Sequence, residues 1–361
     1  MLYPVIIAGG FGKRLWPKSR KATPKFFLKV EGNRTLLEDT VKRAKRLAPI
    51  KNILIITNKE HVSGIKKVLT DFPRKNIIAE PVSKNTAPAI CLASLIAKKR
   101  NKNAVIAVMP ADQIIESTKT TRGVFSLAVL AANIEGTIVT IGIKPKYAAT
   151  GYGYIKVSKS HKTLKTDSRY KLFSVDEFVE KPALKKAKLF IKTKKYLWNS
   201  GIFIGNADTF LDEFKRHSPS IYKIAKKIEP AIGTSAQQSD INRYYGGFSN
   251  ISIDYAVMEK IKKSFVVEAD IDWQDVGSWD SFVKSIKKDS LHNSIIGNSL
   301  NIDLKNSIVI TDNKRLVATI GLKDVIIVNT DDATLVCSKD RAEEVRNIVA
   351  LAKKKHLMRY I

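Results

Sequence analysis

Over the first 140 residues, short apolar runs rich in Val and Ile alternate with longer segments whose apolar positions recur at helical spacing. Strands are expected at 5–8, 53–57, 77–79, 105–109 and 137–141, and helices at 35–48, 61–69, 87–99 and 122–133. Four such alternations in sequence predict a mainly parallel sheet covered on both faces, an α/β domain of Rossmann-like type. From Gly151 the pattern turns to antiparallel-looking strands at 154–157, 172–180 and 201–206, then to helices around 207–227, read as substrate-binding elaboration on the sheet. After Leu291 come short β-branched runs at 294–296, 307–311, 316–320, 325–329 and 334–338, with turns at Gly297-Asn298, Asp312-Asn313 and Asp331-Asp332. An amphipathic helix at 342–355 closes the chain. The division expected is a large domain at 1–290 and a small β-rich domain at 291–361, with no repeat regular enough to call a solenoid.

Length and composition agree with this division. The 361 residues are 44% apolar, enough for a sizeable core, and the longest apolar stretch, Ala87 to Ala97, is broken by Pro88 and Ser94. It falls short of the ~20 residues that a spanning helix needs, so no membrane is expected. The segment Met1 to Ile7 runs into Gly9-Gly10 without a basic region or cleavage site, which predicts a cytoplasmic chain. Cys91 and Cys337 read as free thiols, and five scattered histidines lack the close spacings of zinc ligands. The formal charge of +29 rests on short, separate clusters such as Lys98-Lys99-Arg100 and Lys353-Lys354-Lys355. No zinc-finger or RNP-like pattern accompanies them, which argues against a specific nucleic-acid partner and for a field that attracts small polyanions.

Candidate chemistry begins where the first strand ends. Ala8-Gly9-Gly10-Phe11-Gly12-Lys13-Arg14-Leu15-Trp16-Pro17 places three glycines and two cations in six positions at the C-terminal end of a strand, the end at which open α/β sheets bind ligands. Glycines there let backbone N–H groups approach phosphate oxygens, and Lys13 and Arg14 add charge-assisted bonds. Neither the Walker spacing nor the dinucleotide fingerprint fits.

Taken with Pro24-Lys25-Phe26-Phe27, this stretch resembles the signature of the nucleotide-sugar pyrophosphorylase family. Glu80-Pro81 with Asn85-Thr86-Ala87-Pro88, Phe178-Val179-Glu180-Lys181-Pro182 and Trp273-Gln274-Asp275-Val276-Gly277-Ser278-Trp279 resemble its GDP-mannose-forming members, and the five motifs occur in order over almost the whole chain. The resemblance implies a glycosyltransferase A-like nucleotidyltransferase domain and a homodimer. It also implies GTP and mannose 1-phosphate as substrates, and GDP-mannose and pyrophosphate as products.

Residue by residue, the resemblance implies nucleotide binding by Ala8, Gly9, Gly10, Gly12, Lys13, Arg14, Glu80, Asn85 and Thr86, with Arg14 and Lys25 catalytic. Glu80 suits guanine, since one carboxylate can accept from N1–H and the exocyclic amine together, whereas adenine has an acceptor at N1. Gly153, Glu180, Lys181 and Asn199 are assigned to the sugar phosphate. Asp112 and Asp275 are assigned to Mg²⁺, which takes one or two carboxylates together with phosphate oxygens and water. Lys13, Lys84, Phe26 and Gln113 depart from the family's common Thr or Ser, Arg, Gln and His. The 71 residues after the boundary are too few for the cupin-type isomerase domain of some relatives, so a single activity is expected. Another base or sugar, or a catalytically silent regulatory homologue, stays open on the sequence alone.

Overall fold

The computed structural model describes residues 1–29, 34–116, 118–162, 170–284, 286–312 and 315–361. Asn313 of the expected Asp312-Asn313 turn lies outside the described residues, as does the side chain of His161. Two compact units emerge, one of Met1–Gly9, Thr40–Ala111 and Ile115–Trp273, the other of Gly10–Asp39, Asp112–Ile114 and Gln274–Ile361. The chain thus passes between units several times, where the sequence suggested a single cut at 290.

The first unit is built on strands β1 (Leu2–Ala8), β2 (Leu54–Asn58), β3 (Ile77–Glu80) and β4 (Val105–Pro110). After a short strand β5 (Gln113–Ile115) come β6 (Ile138–Ile143), β7 (Tyr154–Lys162), β8 (Lys171–Val179), β9 (Tyr196–Asn206) and β10 (Ser264–Ala269). All but β5 form one sheet in the order β3-β2-β1-β4-β9-β6-β10-β8-β7. β1 lies parallel to β2 and β4, with Val5 beside both Leu54 and Val108. β9 enters antiparallel between β4 and β6, and β8 pairs antiparallel with β10 and β7. Pairing is therefore parallel among β3, β2, β1 and β4 and between β6 and β10, and antiparallel wherever β7, β8 or β9 takes part, all of them after residue 150 as the sequence pattern suggested.

Helices α1 (Leu36–Lys45), α2 (Val62–Val68), α3 (Thr86–Arg100) and α4 (Lys119–Glu135) connect the early strands, with α3 at the centre of the first unit. Residues 87–97 of α3 are all buried, which explains why its sequence is apolar on every side. Its neighbours in the core include α6 (Ala207–His217) and α7 (Pro219–Ile228), through Phe210, Phe214, Ile221 and Ile228. α5 (Leu184–Thr193) and α8 (Gln237–Tyr244) also belong to this unit.

In the second unit Leu15, Trp16, Leu28 and Leu36 share one apolar core with Val276, Trp279, Ile308, Ile326 and Val349. The Trp16 indole donates to the Tyr360 carbonyl at 2.6 Å, and that of Trp279 donates to the Trp16 carbonyl at 3.2 Å. Lys18 pairs with Asp312 at 3.0 Å. These contacts are why Gly10–Asp39 joins the C-terminal region. Within that region Ser294–Ile296, Ile308–Thr311 and Val325–Asn329 lie side by side in parallel, and Ser299–Ile302 lies parallel to Val317–Ile320. Ile308 sits beside Ile326 and Ser299 beside Val317, each pair eighteen positions apart, whereas Ser294 sits beside Ile308 only fourteen on, so the chain coils in parallel turns of unequal length. So few turns of uneven length do not stand out in sequence, which is why no solenoid was read there.

Candidate active site

Lys25 opens the short 3₁₀ turn Lys25–Phe27 and is only 7% exposed. Its Nζ lies 3.0 Å from Asp112 Oδ2 and 3.1 Å from Asp275 Oδ1. Both oxygens are measured from one nitrogen, so they are at most about 6 Å apart. Three residues far apart in sequence therefore meet within the second unit. Burial pulls the ammonium's pKa down, but Asp112 and Asp275 outweigh it and the net shift is upward, so Lys25 stays charged. The loop before it sets this geometry. Gly12 has φ +73°, and a Cβ there would stand 2.7 Å from Lys25 Cβ, so only glycine fits both the left-handed backbone and the close approach. The Gly12 carbonyl accepts from Leu15 N–H at 2.9 Å and from Ser19 Oγ at 2.5 Å.

Arg14 lies on the same turn, with Nε 2.7 Å from the exposed carboxylate of Glu343, a residue that sequence reasoning missed. Exposed pairs of this kind are worth ~0–1 kcal/mol, so an incoming anion can displace Glu343. Lys13 sits over the Phe11 ring at 5.8 Å. Asp112 and Asp275 present hard oxygen donors, and in this structure the Lys25 ammonium stands between them. No group of three or more His, Cys, Asp or Glu suited to a metal occurs among the described residues.

In the first unit Ala8 is buried at the end of β1, its carbonyl accepting from Thr57 Oγ1 at 2.8 Å, and Gly9 is exposed beside it. Glu80 ends β3 and is 5% exposed. Burial lifts its carboxyl to about 7, and a hydrogen bond donated by the buried Tyr245 hydroxyl offsets part of that rise. Asn85 caps α3, accepting from Thr86 N–H at 2.9 Å in a left-handed conformation at φ 67°. Thr86 Oγ1 accepts from Ile253 N–H at 2.9 Å. Both residues thus have structural work, and their remaining polar atoms are what a nucleotide could use.

The four residues assigned to sugar phosphate also gather in the first unit. Asn199 N–H donates to the Gly153 carbonyl at 2.8 Å, and a Cβ on Gly153 would meet Glu180 Oε2 at 2.5 Å and Asn199 Cβ at 3.2 Å. A larger residue there would have to push the Glu180 carboxylate aside and crowd Asn199. Lys181 pairs with the Glu180 carboxylate; burial pulls the lysine's pKa down, but Glu180 more than offsets this. Asn199 Nδ2 donates to Asp254 Oδ1 at 2.9 Å. Asp254 was not singled out from sequence. Burial, with the Glu180 charge adding to it, lifts its carboxyl to about 6. The only sequence signal for Asp254 is an acid within the otherwise apolar run around Ile253 to Met258.

Comparison with known families fits this chemistry. Residues 3–291 match the family model described as nucleotidyl transferase, and residues 297–351 match the MannoseP isomerase/GMP-like beta-helix domain. The chain belongs to the nucleotidyl transferase family. It groups there with proteins named mannose-1-phosphate guanylyltransferase: one from Escherichia coli is 38% identical over 96% of this chain and 75% of its own length. Another, from Klebsiella pneumoniae, is 36% identical over all of this chain and 76% of its own. A solved structure from Thermus thermophilus, described as a mannose-1-phosphate geranyltransferase, superposes with a TM-score of 0.85 at 30% identity, covering 98% of this chain and 99% of that one. Among the described residues no helix is long and apolar enough to cross a membrane.

Proposed function

We propose that this chain transfers GMP from GTP to mannose 1-phosphate, giving GDP-mannose and pyrophosphate. The sugar phosphate oxygen attacks the α-phosphorus in line, the bond from that phosphorus to the β-phosphate bridging oxygen breaks, and the electron pair leaves with pyrophosphate. The observation that carries this reading is the convergence of Lys25, Asp112 and Asp275, a buried cation between two carboxylates, in a member of the nucleotidyl transferase family.

Asp112 and Asp275 would hold Mg²⁺, which when bound neutralises charge on the phosphates. Lys25, freed from its two carboxylates, would meet the α-phosphate, whose negative charge takes their place in holding the ammonium, and would stabilise the charge that builds there. Arg14 exchanges Glu343 for the triphosphate, and Lys13 and the N–H groups of Gly9, Gly10 and Gly12 add to its binding. Glu80 reads guanine through N1–H and the 2-amine. Glu180 accepts from sugar hydroxyls, Asn199 orients the ring, and Lys181 contacts the sugar phosphate. No covalent enzyme intermediate is needed, because positioning and charge neutralisation suffice for phosphoryl chemistry.

The test is pyrophosphate release by the full chain with Mg²⁺, GTP and mannose 1-phosphate, set against ATP, UTP and dTTP and against glucose 1-phosphate. Turnover with GTP and mannose 1-phosphate well above every other pairing is expected. Turnover that favours another base or sugar moves the assignment within the same chemistry, and none with any pairing overturns it.

A further inference from the structure

The segment 238–254 touches both groups of substrate-reading residues in the first unit. Gln238 Nε2 donates to the Ala79 carbonyl at 2.9 Å, and the Tyr245 hydroxyl donates to Glu80. The Ile251 carbonyl accepts from Ala87 N–H at 3.2 Å, and Ile253 N–H donates to Thr86 Oγ1 at 2.9 Å. Asp254 then accepts from the Asn199 amide. Five contacts from one stretch of chain thus fall on residues 79, 80, 86, 87 and 199. The stretch is anchored in the core, with Ile241, Tyr245, Phe248 and Ile253 all buried and the Tyr245 and Phe248 rings edge to face at 4.9 Å. It ends in a π-helical turn at Asp254–Met258, a local widening of helix that recurs at functional sites.

We propose that this segment is a brace in which Tyr245 positions Glu80 for the base and Asp254 positions Asn199 for the sugar. This deepens the functional reading above and rests on it. Tyr245 bonds to Oε1 of Glu80, which fixes the plane of the carboxyl and so the direction in which it can accept from two parallel donors. At Asn199, Oδ1 accepts from Gly201 N–H at 3.0 Å while Nδ2 donates to Asp254, so the amide is held at both ends and the acid fixes its donor end. Neither Tyr245 nor Asp254 needs to touch the reacting phosphates.

Steady-state kinetics of the full chain test the brace with Tyr245→Phe, Asp254→Ala, Glu80→Gln and Asn199→Ala. Tyr245→Phe is expected to raise KM for GTP about tenfold, the worth of one of the bonds that guanine makes to a correctly oriented Glu80 carboxylate, and to narrow the GTP/ATP ratio, with KM for mannose 1-phosphate and kcat unchanged. Asp254→Ala should raise KM for mannose 1-phosphate by a similar factor and leave KM for GTP alone. If Glu80→Gln and Asn199→Ala have these selective effects but Tyr245→Phe and Asp254→Ala do not, the brace is overturned and the functional reading stands. If Glu80→Gln leaves the GTP/ATP ratio unchanged, the base reading itself fails. Brace variants that raise both KM values together while lowering kcat and Tm show a merely structural role and overturn the proposal. Should either core variant fail to fold, the exposed Gln238→Ala decides: a rise of at least twofold in KM for GTP alone supports the brace, and no change overturns it.

Discussion

Lowering the pH from 8 to 6 is expected to remove most of the preference for GTP over ATP. The cause lies in Glu80, whose burial at the end of β3 lifts its carboxyl to about 7 despite the bond from Tyr245. With that value the free enzyme carries the ionised form in about nine chains of ten at pH 8 and about one in ten at pH 6. The carboxylate accepts from both guanine donors, whereas the neutral acid has given up one acceptor. The kcat/KM for GTP should therefore fall about tenfold for this reason alone, or ~1.4 kcal/mol. Both triphosphates titrate alike, so the ratio of kcat/KM for GTP to that for ATP isolates the base from the phosphates. In Glu80→Gln the ratio should be low at both pH values and flat between them. A ratio in the unaltered chain that does not move between pH 6 and 8 refutes the reasoning. The shift also bears on stability. Between the ordinary value of 4.5 and about 7, the folded chain keeps a proton that the unfolded chain has lost, so this group's contribution falls as pH rises through that window. At pH 8 the deficit approaches ~3 kcal/mol, and Glu80→Gln should then raise Tm at pH 8 more than at pH 5.

Other expectations follow from the second unit and from the charge. Asp112→Asn and Asp275→Asn should each depress kcat strongly, and the double variant should lose little more activity than the worse single one because the two act as a unit. The double variant also leaves the buried Lys25 ammonium without either carboxylate, so its Tm should drop by more than the two single changes together, which denaturation curves will show. Gly12→Ala must adopt φ +73° and push into Lys25, so it should cost at least ~1–2 kcal/mol and lower turnover; unchanged stability would argue that the loop relaxes freely. With +29 formal charges, kcat/KM should fall as salt rises wherever encounter is limiting, and a mobility-shift assay should show only weak, sequence-independent binding to duplex DNA at physiological salt.

Much of this protein is determined locally along the chain. The apolar runs that become β1, β2, β3, β4 and β6 lie within a residue or three of their expected bounds, because a strand buried on both faces needs an unbroken run of Val and Ile. The glycine loop, Lys25, Glu80, Asp112, Glu180, Asn199 and Asp275 stand out along the chain as ordered motifs through their resemblance to the family, and their roles belong to the function proposed above. Tertiary structure alone decided which of them meet. Nothing in the spacing of Lys25, Asp112 and Asp275 brings an ammonium between two carboxylates; that follows from the Gly12 turn, which lets Lys25 approach, and from the packing of Leu15 and Trp16 with Trp279. The same packing assigns residues 10–39 to the C-terminal core, which a boundary read from strand patterns could not foresee. Tyr245 and Asp254 were invisible for a related reason. A tyrosine and an aspartate in an apolar stretch look like ordinary residues of a helical region, and only folding sets one against Glu80 and the other against Asn199. Sequence pattern records what each segment must bury, whereas the partner of a buried polar group is chosen by whichever distant segment the packing delivers.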